Sequence, residues 1–402
     1  MKKILASVAF SLAFLLAYAQ SDSLRLLRIE TLPYYSFGKG VGITSPDSLY
    51  QLNIRFRMQS RATFNDDNGT SSIDAQVRRL RLRFDGYVGS PKFGYTIQLS
   101  FAPGDVGSLV SGENLNIIRD AVIWYRPSNH WALGFGQTKL PGNRQRLNSS
   151  GALELTDRSI NNAQFNIDRD FGFQAQRLNM YKNKFSYKIL AAISSGEGRN
   201  YTKNDDMDLA YTTKAELYPF GAFSSQGEYF EGDIKREARP KLMLSAAFQY
   251  NAGAKRTGGQ LGSALYEKKN IQSFLADALL KYQGWAIMCA FMNRGTTSDP
   301  IAYNPLAPSD FNYVYVGNGL DIQGSYTTLG HWAIIGRYSY KKADAAIHAY
   351  EPHVRQFSLG LTKYVWEHNF KLQTEITHDK QILFDGTNTR DWYARFQIEI
   401  GI

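Results

Sequence analysis

Six arginines fall at same-parity positions in two short stretches: Arg55, Arg57 and Arg61, then Arg79, Arg81 and Arg83. A guanidinium is planar, stays charged at any working pH and offers a fork of donors that matches a carboxylate or oxyanion. Six of them on one face would make a positive wall that concentrates anions. Other chemistry-bearing residues are sparse. Of the six histidines, His378 beside Asp379 is the pair to consider as an oriented base. No G-x-S-x-G elbow and no H-E-x-x-H motif accompanies it. The lone Cys289 excludes a disulfide framework and a thiolate metal cluster. No catalytic residue, metal site or cofactor is expected, and the chain is not read as an enzyme.

The arginines need an element that turns alternate residues to one face, and that element is a β-strand. In 51–59, Leu52, Ile54, Phe56 and Met58 are apolar and the intervening residues polar. The same period of two recurs around Leu80-Arg81-Leu82, Tyr95 to Phe101, Trp131 to Phe135, Phe185 to Ile193 and Leu209 to Leu217. It continues through Leu242 to Tyr250, Trp285 to Phe291, Phe357 to Leu361, Phe370 to Ile376 and Trp392 to Ile402. With less regular segments included, about sixteen strands are expected, many near the 9–11 residues that cross a membrane. Connections alternate short and long. Short ones are expected at 90–92, 127–129, 181–183, 283–284, 329–330 and 367–368. Long ones are expected near 63–76, 102–117, 138–168, 194–207, 251–270, 294–317, 341–353 and 379–390. The fold class is therefore all-β, a transmembrane antiparallel β-barrel with short periplasmic turns and long extracellular loops. The stretch 219–240 is the exception, being long for a periplasmic turn.

Composition agrees. The 402 residues carry a formal charge of +10 and are 14% aromatic, with a mean hydropathy of −0.36. That hydropathy excludes a bundle of apolar membrane helices, while the apolar share excludes a disordered chain. A lipid-facing outside and a wet inside reconcile the two. Tyr87, Tyr95, Trp131, Trp285, Trp332, Trp366 and Trp392 stand near strand ends, as aromatic girdles require. Residues 1–19 read as a signal peptide: Lys2 and Lys3, an apolar run from Ile4 to Leu16, then Ala17-Tyr18-Ala19. Residues 20–50 read as a lead-in, and 51–402 as the barrel. The expected location is the outer membrane of a Gram-negative cell. Nucleic acid is not an expected partner, because the arginines alternate with lipid-facing residues and no basic helix or stacking platform accompanies them.

Particular segments carry a family likeness. Phe37-Gly38-Lys39-Gly40, Ile54-Arg55-Phe56-Arg57, Arg78-Arg79-Leu80-Arg81-Leu82 and Arg119-Asp120-Ala121 before Tyr125-Arg126-Pro127 are four of them. Gly136 to Pro141, Asp157-Arg158-Ser159 and Asp168-Arg169-Asp170-Phe171-Gly172 complete the set. Together they resemble the phosphate-selective porin O and P family, most closely over 37–175. The resemblance implies a sixteen-stranded homotrimeric porin conducting small anions such as phosphate, with outer-membrane lipid as its surroundings.

The strand register gives the lumen. Away from strand ends, inward basic residues are the six arginines above with Lys188, Lys214, Lys281, Arg337, Lys371 and Arg395. Inward acids are Asp85, Glu216, Asp277, Asp321, Glu375 and Glu399. Twelve against six leaves a surplus of about +6, and fixed positive charge in a narrow water-filled tube favours anions. Arg55, Arg57, Arg61, Arg79, Arg81, Arg83, Arg337, Lys371 and Arg395 are the expected anion pathway. Lys139, Arg144, Arg146 and Arg158 are candidates on a constriction loop, 138–168, which also holds Glu154, Asp157 and Asp168. The function expected is passive diffusion of small hydrophilic solutes with anion preference. The alternatives are a weakly selective general porin, an outer-membrane barrel enzyme built on His378-Asp379, and a closed scaffold barrel.

Overall fold

A computed structural model describes residues 40–107, 116–201 and 206–402. The expected signal peptide and most of the lead-in lie outside these residues. The first half of the chain forms β1 (Val41–Thr44), β2 (Tyr50–Asp67), β3 (Thr70–Val88), β4 (Ser90–Ser100), β5 (Ile118–Ser128), β6 (Trp131–Lys139), β7 (Arg169–Asn179), β8 (Ser186–Ser194) and β9 (Ala210–Tyr218). The second half forms β10 (Lys241–Arg256), β11 (Ala264–Tyr282), β12 (Trp285–Thr296), β13 (Ile301–Asn304), β14 (Ala307–Tyr313), β15 (Gly317–Thr327), β16 (Trp332–Ala343), β17 (His353–Trp366), β18 (Phe370–Ile382) and β19 (Asn388–Gly401).

Sixteen of these, β2 to β12 and β15 to β19, pair in sequence order, and β19 pairs back onto β2. Closure leaves no open edge, so the backbone hydrogen bonds are satisfied within the sheet, as a membrane interior demands. β13 and β14 form a separate hairpin. β1 pairs with the start of β2, Val41 opposite Ile54, so sheet pairing begins before residue 51. The alternation is regular: in β9 even-numbered residues are buried and odd ones exposed. Apolar residues such as Phe56, Met58, Phe248 and Ile376 face outward. Trp131, Trp285, Trp332 and Trp366 stand exposed on the outer wall beside the short turns and form one girdle.

Three connections differ from expectation. In place of a long loop at 63–76, β2 and β3 run on for 18 and 19 residues and join at Asn68-Gly69. Both residues have positive φ, 51° and 87°, which matches the twist of a two-residue hairpin. β10 and β11 likewise extend to Arg256 and from Ala264, shortening the expected 251–270 loop, and β18 and β19 extend to Ile382 and from Asn388, shortening the one expected at 379–390.

The interior is not uniformly wet. The connection 140–168 folds inside the barrel and packs Leu140, Phe165 and Ile167 against inward Ala247, Leu275, Ala290 and Met292. Its tip, Leu155, meets Ala333, Ile335 and Tyr364. Small inward residues make room. A Cβ on Gly360 would lie 2.3 Å from Leu155, and one on Gly319 2.2 Å from Asn161. From the opposite rim, 219–240 rises inward, placing Phe223 against Met243, Leu279 and Met288. The two segments meet where Phe230 packs on Ala152. Together they fill the side of the barrel walled by β9 to β18. The space left open lies along β19 and β2 to β7.

Candidate functional site: an arginine-lined passage

The open side is built from β2, β3, β5 and the inner face of the 140–168 loop. Strict alternation turns Arg55, Arg57 and Arg61 inward on β2, with Arg79, Arg81 and Arg83 on β3. Two register shifts add to them. Gln59 pairs with Arg79 but Ser60 pairs with Val77, so Arg78 is an extra residue. A bulge of this kind re-aims a side chain, and Arg78 joins Arg79 on Asp157 at 2.9 Å each. Gln98 pairs with Asp120 but Leu99 pairs with Ile118, which leaves Arg119 as the extra residue of β5. Arg119 and Asp120 are both buried inside the barrel.

A few carboxylates hold many guanidiniums. Asp85 pairs with Arg55 at 3.2 Å and Arg83 at 3.1 Å. Asp105, in the helical turn Pro103–Val106, pairs with Arg81 at 2.8 Å and Arg119 at 3.1 Å. Asp157 also takes Arg61, at 3.2 Å, and so holds three arginines. Asp168 pairs with Arg146 and Arg169, and Asp120 accepts a two-pronged bond from Arg169 at 3.0 and 3.1 Å. Burial by itself would raise Asp157, but Arg79, Arg78 and Arg61 hold it well below the ordinary carboxylate range. Asp105 is lowered in the same way, Arg81 and Arg119 outweighing burial. Both stay ionised at neutral pH. Their ion pairs stabilise the fold above the unfolded carboxylate value of 3.8 and are lost only as pH falls through the lowered folded values.

Two cavities lie on this open side. On the periplasmic side, nine basic side chains and one acid, Asp120, line the cavity. On the extracellular side, eight arginines and three acids, Asp105, Asp157 and Asp168, line another. Arg81, Arg119, Arg146 and Arg158 line both and stand at their boundary. Ser149 and Ser150 accept hydrogen bonds from Arg57, and Ser150 also from Arg81 at 3.1 Å, which ties the wall to the loop. Arg158 donates to the carbonyls of Gln145 and Asn148 at 2.7 and 2.9 Å, and no carboxylate ion-pairs with it among the described residues.

The expected residues divide accordingly. Arg55, Arg57, Arg79, Arg81, Arg83 and Arg395 line the cavities, as do Lys139, Arg146 and Arg158. Arg61 faces inward but is held against Asp157. Three others stand apart from the passage. Lys371 lies behind the loop, donating to Gly151 and Leu153 carbonyls at 2.9 and 2.6 Å and pairing with Glu399 at 3.3 Å. Arg337 donates to the Asp157 carbonyl at 3.1 Å. Arg144 is buried between loop and insert, bonded to the Glu228 and Phe230 carbonyls. Inward-facing is thus not the same as water-facing once a loop fills half the lumen. Arg119, Arg169 and Arg199 line the passage without having been expected to. His378 faces outward while Asp379 turns inward and accepts from Gln356, so the two cannot act as one base.

A closed sixteen-stranded antiparallel barrel with an inward loop and a charged interior has the architecture of an outer-membrane channel of the porin type. Residues 51–227 match the family model described as Phosphate-selective porin O and P, which confirms the resemblance carried by the motifs over that stretch. No curated protein matches the sequence. The outer membrane channel DcaP of Acinetobacter baumannii superposes with a TM-score of 0.56 at 14% identity, covering 90% of this chain and 99% of that one. An anion-selective porin from Comamonas acidovorans gives 0.54 at 10% identity over 88% and 100%. OmpF of Salmonella typhi gives 0.56 at 12% over 90% and 100%. At such identities the likeness establishes the fold.

Proposed function

We propose that this porin conducts small anions, phosphate and other oxyanions among them, by passive diffusion through the arginine-lined passage. The observation that carries the reading is the stoichiometry at the boundary of the two cavities. Four arginines meet there, and the loop side is basic, with Arg146 and Arg158, as is the wall, with Arg81 and Arg119. An anion entering a narrow tube loses hydration, and fixed donors without a full set of carboxylate partners offset that loss. Successive moderate sites, from Arg78 and Arg79 down to Arg55 and Arg83, allow exit as well as entry. Export through a cleaved 1–19 signal and assembly as a homotrimer belong to the same reading and rest on the leader pattern and the family resemblance.

The test is the reversal potential of the purified porin in planar bilayers under a KCl gradient, repeated with phosphate. Anion preference is expected, together with its loss on replacing Arg81, Arg119, Arg146 and Arg158 by Gln. Cation preference in the parent, or unchanged selectivity in the fourfold variant, would refute the reading.

A further inference from the structure

The insert 219–240 is not needed to connect β9 to β10, since other connections at that rim take a few residues. It enters the lumen, and three of its non-glycine residues, Ser225, Gln226 and Arg236, adopt left-handed backbone at φ 51°, 57° and 50°. Such conformations persist only where surrounding contacts hold them. On its wall side the segment is held by Phe223 on Met243, Leu279 and Met288, by Glu228 on Lys188, by Asp233 on the Gly284 N–H and by Arg236 on the Thr327 carbonyl; on its lumen side it contacts the constriction loop. Arg144 of the loop donates to the Glu228 carbonyl at 3.0 Å, and the Glu231 N–H donates to the Ala152 carbonyl at 3.1 Å. The Glu154 N–H donates to a Glu231 carboxylate oxygen at 2.9 Å. Gln323 Nε2 donates to both Glu154 and Glu231, 3.2 Å each, so the two carboxyl groups share one donor.

We propose that 219–240 is a periplasmic gate latched to the constriction loop through a Glu154–Glu231 carboxyl pair that stays closed while the pair keeps a proton.

The surroundings explain why a proton is needed. Both side chains are buried, and neither has an ion-pair partner among the described residues. The cations facing them are committed elsewhere. Lys281 of β11 donates to the Gly227 and Gly232 carbonyls, and Lys371 of β18 to the Gly151 and Leu153 carbonyls and Glu399. Arg144 and Arg158 of the loop donate to carbonyls. Tyr364 of β17 faces both carboxyls, and Asp233 of the insert adds a further negative charge next to Lys281. Two unpaired carboxylates in a dry contact repel, so one must be neutral for the contact to hold.

Burial, followed by the charge of Glu231, pushes Glu154 up from 4.5 to about 7. The sign follows. A released Glu154 ionises at its ordinary value, whereas a latched one stays protonated to about 7. Closure is therefore favoured most below 4.5, weakens progressively between 4.5 and 7, and changes no further above that. The closed-to-open ratio should fall by up to about 300-fold across the window.

Single-channel conductance of the full-length porin, recorded from pH 4 to 8, tests the gate. We expect a larger open conductance or a greater open fraction toward neutral pH, and a flat profile in Glu154→Gln, which is neutral at every pH. A disulfide between Ala152→Cys and Phe230→Cys should hold the low-conductance state until it is reduced. A flat wild-type profile, a Glu154→Gln profile that still titrates, or a crosslink without effect on conductance each overturns the gate. Reversal potentials from the same channels keep this apart from the anion reading. Anion preference with pH-independent conductance sinks the gate alone, and pH-dependent conductance without anion preference sinks the anion reading alone.

Discussion

At the scale of single residues, the unit of the passage is one carboxylate holding two or three guanidiniums. Asp85, Asp105 and Asp157 together engage seven arginines. Each acid fixes the geometry of its arginines and leaves positive charge over. Alternation exposes part of this in the sequence: Arg55, Arg57, Arg79, Arg81 and Arg83 are placed by a period of two. Arg78 and Arg119 are not, because a bulge is decided by how the partner strand pairs, and strict alternation sends both toward lipid. Lys371 shows the opposite error, being inward by parity yet sealed behind the loop. The contrast is testable. Arg119→Ala should reduce anion preference with little change in barrel stability. Lys371→Met should leave selectivity nearly unchanged, yet lower stability by about 1–3 kcal/mol, because it takes a donor from two buried loop carbonyls and leaves Glu399 with Arg57 as its cationic partner and Gln59 as its donor. Reversal potentials and urea unfolding of the two variants separate these roles. Equal selectivity losses in both would mean that Lys371 reaches the passage.

At the scale of elements, strands were more legible than the connections between them. The Asn68-Gly69 dipeptide is a strong hairpin signal, but the polar stretch around it resembles a loop because a strand that rises out of the membrane has no apolar face to display. The inward course of 140–168 was suggested by its length, whereas its seat was not. That seat is a set of small or apolar inward residues on β10, β11, β12, β15 and β17, which blur the alternation there because both faces are apolar. Gly360 is the sharpest point of contact, since an added Cβ would lie 2.3 Å from the Leu155 side chain. Gly360→Val should displace the loop tip and raise conductance and current noise. Gly336→Val on β16, whose added Cβ meets nothing within 4 Å, serves as the control and should leave both unchanged. Identical traces from the two variants would show that the loop does not depend on this seat.

At the scale of the whole molecule, the channel is eccentric, with one side packed and the other wet and basic. The formal charge of +10 says little by itself, since Lys188, Lys214, Lys281 and Lys371 are spent inside the packed side on carboxylates and carbonyls. Selection must come from the unspent charge along β19 and β2 to β7, spread over two cavities and not gathered at one tight site. Such a distributed field is open to mobile ions. The screening length is about 10 Å at 0.1 M salt and about 3 Å at 1 M, so neighbouring arginine groups reinforce one another in dilute salt and act singly in concentrated salt. The anion-to-cation permeability ratio should therefore fall steeply between 0.1 and 1 M KCl, while conductance keeps rising with concentration. A channel governed by a single high-affinity anion site would behave otherwise: its conductance would saturate at low concentration and its selectivity would persist in high salt. Reversal potentials and conductances measured over that range on one preparation distinguish the two, and saturation with constant selectivity would replace the distributed field by one discrete site, with Arg81, Arg119, Arg146 and Arg158 the place to look for it.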